Sequence, residues 1–248
     1  MTTRIELFGC PMDTATMART VACISDRIER RQFTQQASIN VAKLVHMQSD
    51  LQLARSVIRC DLINIDGMGV VWAARLLGHD VPERVAGVDL FDRLLQEAAR
   101  RGFPVFLLGA TQEVVSTTAS RCTGRYPGLQ LAGYHHGYFW DDEAAVVERI
   151  RASGARLLFV AITSPRKENF IHRWQAELGV DFVMGVGGTF DVVAGKVRRA
   201  PGWMRRSGLE WLFRVLQEPR RMWRRYMVTN LHFAVMLAGA WLAPRNWR

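Results

Sequence analysis

Short, uninterrupted apolar runs alternate along this chain with amphipathic stretches of helical period. That order predicts an α/β fold: a Rossmann-like, mostly parallel sheet with helices on both faces. Asp61 to Ile65, Val105 to Leu108, Arg156 to Ile162 and Phe182 to Met184 are the strands that matter most. Their apolar character is continuous rather than alternating, as strands covered on both faces require. Each of them runs out into small or polar residues: Asp66-Gly67, Gly109-Ala110-Thr111, Ser164-Pro165 and Gly187-Gly188-Thr189. In such sheets ligands bind beyond the carboxyl ends of the strands, and these turns suit a nucleotide or phosphate.

The remaining elements follow in order. Ile5–Leu7 is a short strand closed by Gly9-Cys10-Pro11. Met17 to Arg30 is a helix with Ala18, Val21, Ile24 and Ile28 on one face. Thr34 to Asn40 is a strand and Val41 to Arg55 a helix. Val70 to Leu77 is helical, and Leu90 to Arg101 is an amphipathic helix stopped by Gly102. Helices are expected from Gln112 to about Cys122, over Asp142 to Ala152 and over Pro165 to Leu178.

Charge is distributed unevenly. The chain has 248 residues and a formal net charge of +10. All of that excess lies beyond residue 195, where 12 Arg and Lys face 2 Asp and Glu; the first 195 residues are neutral. The chain therefore divides into an α/β core over 1–198 and a basic, aromatic C-terminal appendage over 199–248. A neutral body argues against a nucleic-acid-binding module, whose charge would sit on the fold itself. A basic tail with Trp and Tyr interleaved suits an anionic membrane surface. The four cysteines form no CxxC, and the N-terminus carries no secretory signal, so a reducing cytoplasm is the expected compartment.

Several familiar motifs fail. Gly185-Val186-Gly187-Gly188-Thr189-Phe190 begins like GxGxxG but lacks its last glycine. Gly188 to Lys196 has the wrong glycine spacing for a P-loop, and Val197 stands where Ser or Thr would hold magnesium. The histidines have no ligand spacing, and no serine-hydrolase elbow is present.

Two constellations remain in the body. Asp66 places a carboxylate at the edge of a buried sheet, where burial would raise its pKa toward that of a useful base. The competing reading is an N-cap for the helix that follows. Arg84 and Asp89 flank Val85-Ala86-Gly87-Val88, so Arg84 either forks onto a phosphate or holds Asp89. Asp89 is equally read as the cap of the helix from Leu90.

In the tail, Arg214, Arg221 and Arg225 share one face of a continuous helix, unless Pro219 restarts it. Tyr226 to Ala243 has no formal charge over 18 residues. It can lie in a membrane interface, span a bilayer at the lower length limit, or pack on the core.

Taken together, the chain resembles the WecG/TagA/CpsF family of bacterial glycosyltransferases from about Gly9 to Tyr226. The motifs are Asp66-Gly67-Met68-Gly69-Val70-Val71, Glu83 to Leu90, Val105-Phe106-Leu107-Leu108-Gly109, Gly185 to Asp191, Arg199-Ala200-Pro201, and Gly208 to Arg214 with Glu218-Pro219. The resemblance implies an inverting transfer from a UDP-sugar to a polyprenol-diphosphate-linked sugar, such as an undecaprenyl-diphosphate sugar, in cell-surface or exopolysaccharide synthesis. The donor sugar would be N-acetylmannosamine, its uronic acid, glucose or glucuronic acid.

By that resemblance Asp66 is the general base and Arg84 an active-site arginine. Ser38, Asn40, Asp89, Gly109, Lys167, Glu168, Gly187, Gly188, Thr189 and Asp191 fall on the substrate-binding surface. Arg214, Arg221 and Arg224 would neutralise diphosphate at the cytoplasmic face of the membrane, where the protein would sit peripherally. No cofactor and no metal is implied, since there is no DxD motif and the tail cations would take that role. The resemblance leaves a homo-oligomer open. Members commonly carry Pro-Lys-Gln-Glu where this chain has Pro165-Arg166-Lys167-Glu168, and a cation there would suit a carboxylated donor. The alternative is a non-catalytic membrane-associated protein that holds a nucleotide or an anionic lipid.

Overall fold

The computed structural model describes residues 3–217 and 219–242, and within these every side chain but those of 206, 221, 222 and 225. Among the described residues, eight strands form one sheet. They are β1 (Arg4–Leu7), β2 (Cys10–Asp13), β3 (Thr34–Ile39), β4 (Leu62–Ile65), β5 (Val105–Gly109), β6 (Leu131–His135), β7 (Leu157–Ala161) and β8 (Phe182–Gly185). Their order is β1-β2-β4-β3-β8-β7-β5-β6, and every neighbouring pair except β1–β2 is parallel. The mostly parallel α/β sheet expected from the apolar runs is present. From β3 the chain moves outward to β4, then crosses to the far half, and β8 returns to lie against β3. Strand order thus reverses at the β3–β8 junction, the kind of place where open α/β sheets bind ligands.

The body helices are α1 (Met17–Glu29), α2 (Val41–Ser49), α3 (Leu51–Ile58), α4 (Met68–Leu76), α5 (Gly87–Arg101), α6 (Gln112–Arg125), α7 (Glu143–Ala152), α8 (Arg166–Trp174) and α9 (Thr189–Val193). The tail adds α10 (Gly202–Arg206), α11 (Glu210–Gln217) and α12 (Pro219–Leu242). Successive strand residues feed opposite faces. Val105 and Leu107 pack with α1, α5 and α6, whereas Phe106 and Leu108 pack with α7 and α8. The half of the sheet around β4 packs α2, α3 and α4 on that second face.

Several boundaries differ from expectation, each for a local reason. The helix read over Val41–Arg55 is two helices, because Asp50 is extended and its side chain accepts from the Leu53 amide to cap α3. Strand β2 carries a proline and an aspartate. The Asp13 carboxylate is held by the Arg4 guanidinium and the Ile63 amide at 2.7 Å, which ties it to the sheet. Edge strand β6 is half-buried throughout, so it shows no apolar run. Helix α5 starts at Gly87 instead of Leu90, and α8 ends at Trp174 instead of Leu178.

The tail helices fold back onto the body. Helix α11 ends at Gln217, α12 begins at Pro219, and the Trp211 and Tyr226 rings meet at 5.9 Å between centroids, so Arg214 and positions 221 and 225 lie on separate helices and not on the one continuous face expected. Thr229, Phe233 and Ala240 are buried on one side of α12, and Phe233 meets Phe8 edge-on at 5.7 Å between ring centroids. The opposite side exposes Trp223, Met227, Leu231, Val235 and Leu242. No described helix is long and apolar enough to cross a membrane.

Candidate active site

The amides of Asp66 and Gly67 both donate to the Ile39 carbonyl, at 2.8 and 3.2 Å, which pins the end of β4 to the end of β3. Asp66 does not cap the following helix: Gly67 holds the cap position of α4 and no side chain caps it. The Asp66 carboxylate instead accepts from the Gly87 amide at the start of α5. A Cβ at Gly87 would lie 3.4 Å from Asp66 Oδ2 and 3.4 Å from Ser38 Oγ. The missing side chain therefore leaves room where the carboxylate and the hydroxyl face one another. Gln36 Nε2, held by Asn64 Oδ1 at 3.0 Å, donates to Ser38 Oγ at 3.2 Å. Ser38 accepts there and keeps its own proton for another partner. Asn40 is taken up locally, its Oδ1 capping α2 through the Lys43 amide at 2.9 Å.

Burial pushes the Asp66 carboxyl above the usual carboxylate range. Arg84, the Gly87 amide and Arg214 pull against it, and Glu210 reinforces it. Asp89 behaves oppositely. Burial would raise it, but a two-pronged Arg199 fork at 2.7 Å, with Arg205 and Arg84 nearby, holds it below the ordinary range. The two carboxyls are thus displaced in opposite directions, Asp66 upward and Asp89 downward.

Arg84 is not Asp89's partner. Its guanidinium lies 3.2 Å from Glu210 of α11, both side chains largely buried. Glu210 also stands 3.7 Å from Arg199 and 3.9 Å from Arg214. Asp89 sits inside the first turn of α5 and does not cap it, since Ala86 holds that position. Sequence reasoning missed Arg199, Arg205 and Glu210 as members of this cluster. Two of them stood within quoted motifs, but their partners lie more than a hundred residues away along the chain. Nε of Arg199 and Nε of Arg205 are buried without a hydrogen-bond acceptor. The cluster holds four guanidiniums against the carboxylates of Asp66, Asp89 and Glu210, a surplus that favours an anion.

The other predicted positions divide. Gly187 and Gly188 are exposed just past β8, and Gly187 has φ +52°, which glycine adopts readily. Thr189 is buried and its hydroxyl donates to the Val186 carbonyl at 2.7 Å, so it serves the turn. Asp191 turns its carboxylate toward Gly188. Gly109 is required by packing, because a Cβ there would sit 2.4 Å from the Ala161 carbonyl oxygen. Arg214 is half-exposed near Glu210, and Arg224 is exposed on α12. The side chain of Arg221, and Glu218 of the quoted motif, lie outside the described residues. Among the described residues, no three His, Cys, Asp or Glu side chains gather as metal ligands.

Lys167 and Glu168 approach the β8 end from the opposite face. Lys167 Nζ and Lys43 Nζ each stand 3.3 Å from Glu168 Oε1, and Ser164 Oγ donates to Oε2 at 2.8 Å. Burial alone would raise the Glu168 carboxyl, but Lys167, Lys43 and Ser164 hold it down at about 2. Burial and Lys43 lower the Lys167 ammonium to about 8 against the pull of Glu168. The Glu168 contribution to stability is complete above the ordinary carboxylate range and is lost as pH falls toward 2. Glu168→Gln would leave two buried ammoniums unpaired and should cost about 3–5 kcal/mol. Urea unfolding at pH 7 measures this, and a loss under 1 kcal/mol would contradict it.

The family model for glycosyl transferases of the WecG/TagA/CpsF type matches residues 5–246. The chain belongs to this family. Two relatives carry the same name, N-acetylglucosaminyldiphosphoundecaprenol N-acetyl-beta-D-mannosaminyltransferase. One, from Bacillus spizizenii strain W23, is 40% identical over 167 residues, which is 67% of this chain and 64% of the relative. The other, from Bacillus subtilis strain 168, is 38% identical over 162 residues, which is 65% of this chain and 62% of the relative. The matched part therefore spans a little under two thirds of each relative.

Proposed function

We propose that the protein transfers a sugar from a UDP donor to an undecaprenyl-diphosphate-linked sugar, with inversion, in the synthesis of a cell-surface or extracellular polysaccharide. The observation that carries this is the Asp66 carboxyl, raised by burial and set close to Ser38 and to a surplus of guanidinium groups. Asp66 takes the proton of the acceptor hydroxyl, and that oxygen attacks the anomeric carbon. The bond from this carbon to the UDP oxygen breaks on the opposite side, and UDP departs with the electron pair. Arg84, with Arg199 and Arg214 close by, meets the negative charge that grows on the departing diphosphate. Such donors act without rearrangement because they are already placed when the charge develops. A proton acceptor held above the ordinary carboxylate range and a fixed cationic cradle are the two parts that a direct displacement needs.

The names of the two relatives support a lipid-diphosphate acceptor. The donor is N-acetylmannosamine, its uronic acid, glucose or glucuronic acid, each as the UDP conjugate. The outward apolar stripe of α12, with exposed Arg220 and Arg224 at its beginning, supports a peripheral seat on the cytoplasmic face of the membrane. The test is incubation with each UDP-sugar and a short-chain polyprenyl-diphosphate N-acetylglucosamine, reading UDP release and product mass. Acceptor-dependent product from one donor is expected. UDP binding with no product from any pairing would favour a non-catalytic nucleotide-binding protein.

A further inference from the structure

Asp89 and Glu210 face the same guanidinium cluster but are held differently. The Asp89 carboxylate takes both prongs of Arg199 at 2.7 Å, the length of a fully formed charge-assisted bond. Glu210 has no such grip. Arg84 stands 3.2 Å from it, Arg199 3.7 Å and Arg214 3.9 Å. Three described guanidiniums surround one carboxylate at ion-pair distance, and none of the three closes to the length seen on Asp89. The Arg84 and Glu210 side chains are each 14% exposed, so salt and water screen the pair little.

The tail does not depend on Glu210 for its seat. Asp89 holds Arg199 and, at 3.7 Å, Arg205. The turn at Gly208 lies against Met68 of α4, whose Cγ would be 2.8 Å from a Cβ there. Gln217 Nε2 donates to the Arg198 carbonyl at 3.0 Å, and Phe233 packs on Phe8. What Glu210 adds to this framework is charge. Without it, four guanidiniums would face only the carboxylates of Asp66 and Asp89. A second anion brought to Arg84 at this depth would be repelled by the Glu210 carboxylate, because like charges in a largely dry place interact strongly.

We infer that Glu210 is a built-in competitor, whose carboxylate occupies the place on Arg84 that the donor's diphosphate takes and leaves it when the donor binds. This rests on the transferase reading above. The exchange replaces one loosely held carboxylate with a group that carries more charge and more acceptor oxygens, so the diphosphate prevails. Between turnovers the carboxylate keeps Arg84 paired and the cluster compensated.

The experiment measures Kd for UDP by calorimetry on the full-length wild type, Glu210→Gln, Arg84→Ala and the double variant, with thermal melting as the check on folding. Glu210→Gln should bind UDP about fivefold or more tightly than the wild type. In the Arg84→Ala background the same substitution should change Kd by less than about twofold. Unchanged or weaker binding in Glu210→Gln overturns the proposal, because a carboxylate that merely braced the arginines would loosen the site on removal. A gain of equal size with and without Arg84 also overturns it, since Glu210 would then act through the field of the whole cluster. If Glu210→Gln melts below the assay temperature, Glu210→Asp carries the test. It withdraws the charge by one methylene and should also bind UDP more tightly than the wild type, and equal or weaker binding overturns the proposal. If the wild type binds no UDP at all, the transferase reading itself falls, and the proposal with it.

Discussion

Asp66→Asn should lower kcat by about 10²–10⁴-fold, the range over which a positioned general base contributes. Asparagine keeps the shape and can still meet the Gly87 amide through its oxygen, so the site should remain assembled. UDP affinity is the check on that, and it should change far less than kcat. The same substitution should raise the melting temperature at pH 7. Asp66 is raised above its unfolded value, so its favourable contribution to folding is present at low pH and is lost as pH rises through the folded pKa. Ionised Asp66 therefore costs stability at neutral pH, and asparagine removes that cost. The difference in melting temperature between the two proteins should shrink as pH falls through the carboxylate range. A variant with full turnover, or one less stable at pH 7 than the wild type, would remove Asp66 from the role assigned to it.

Arg84→Ala should lower kcat by about 10²–10³-fold, as loss of one preorganised donor to developing charge does elsewhere. Lysine should rescue little, because a guanidinium fork and an ammonium present different donor geometries. The pH profile separates a direct role from a merely structural one. Arg84 pulls the Asp66 pKa down and Glu210 pushes it up. The acid limb of kcat/KM should therefore move to higher pH in Arg84→Ala and to lower pH in Glu210→Gln. Movement of both limbs in the same direction would show that the substitutions act through misfolding or through some other group.

The strands of the core were legible because burial on both faces writes a continuous apolar run, as in Val105–Leu108. Strands β2 and β6 were not, because one is tied in by the Asp13 carboxylate and the other is an edge that needs no such run. Asp66 could be read from sequence as a polar residue at the end of a buried strand, but not whether it capped the next helix, and Ser38 came only with the family resemblance. The partners of Arg84 and Asp89 could not. Arg84–Glu210 and Arg199–Asp89 join residues more than a hundred positions apart, and only the return of the tail onto α5 brings them together. The charge-free stretch after Tyr226 was ambiguous for a related reason. Both sides of α12 are apolar, one packed on Phe8 and the other exposed, so composition alone could not say which side faces what.

The most direct test is the anomeric configuration of the transferred sugar, read by NMR on the lipid-linked product. A single base opposite a departing diphosphate gives inversion, so an α-linked UDP donor should yield a β-linked product. A product that retains the donor's configuration would require a second nucleophile on the enzyme and would contradict direct displacement assisted by Asp66.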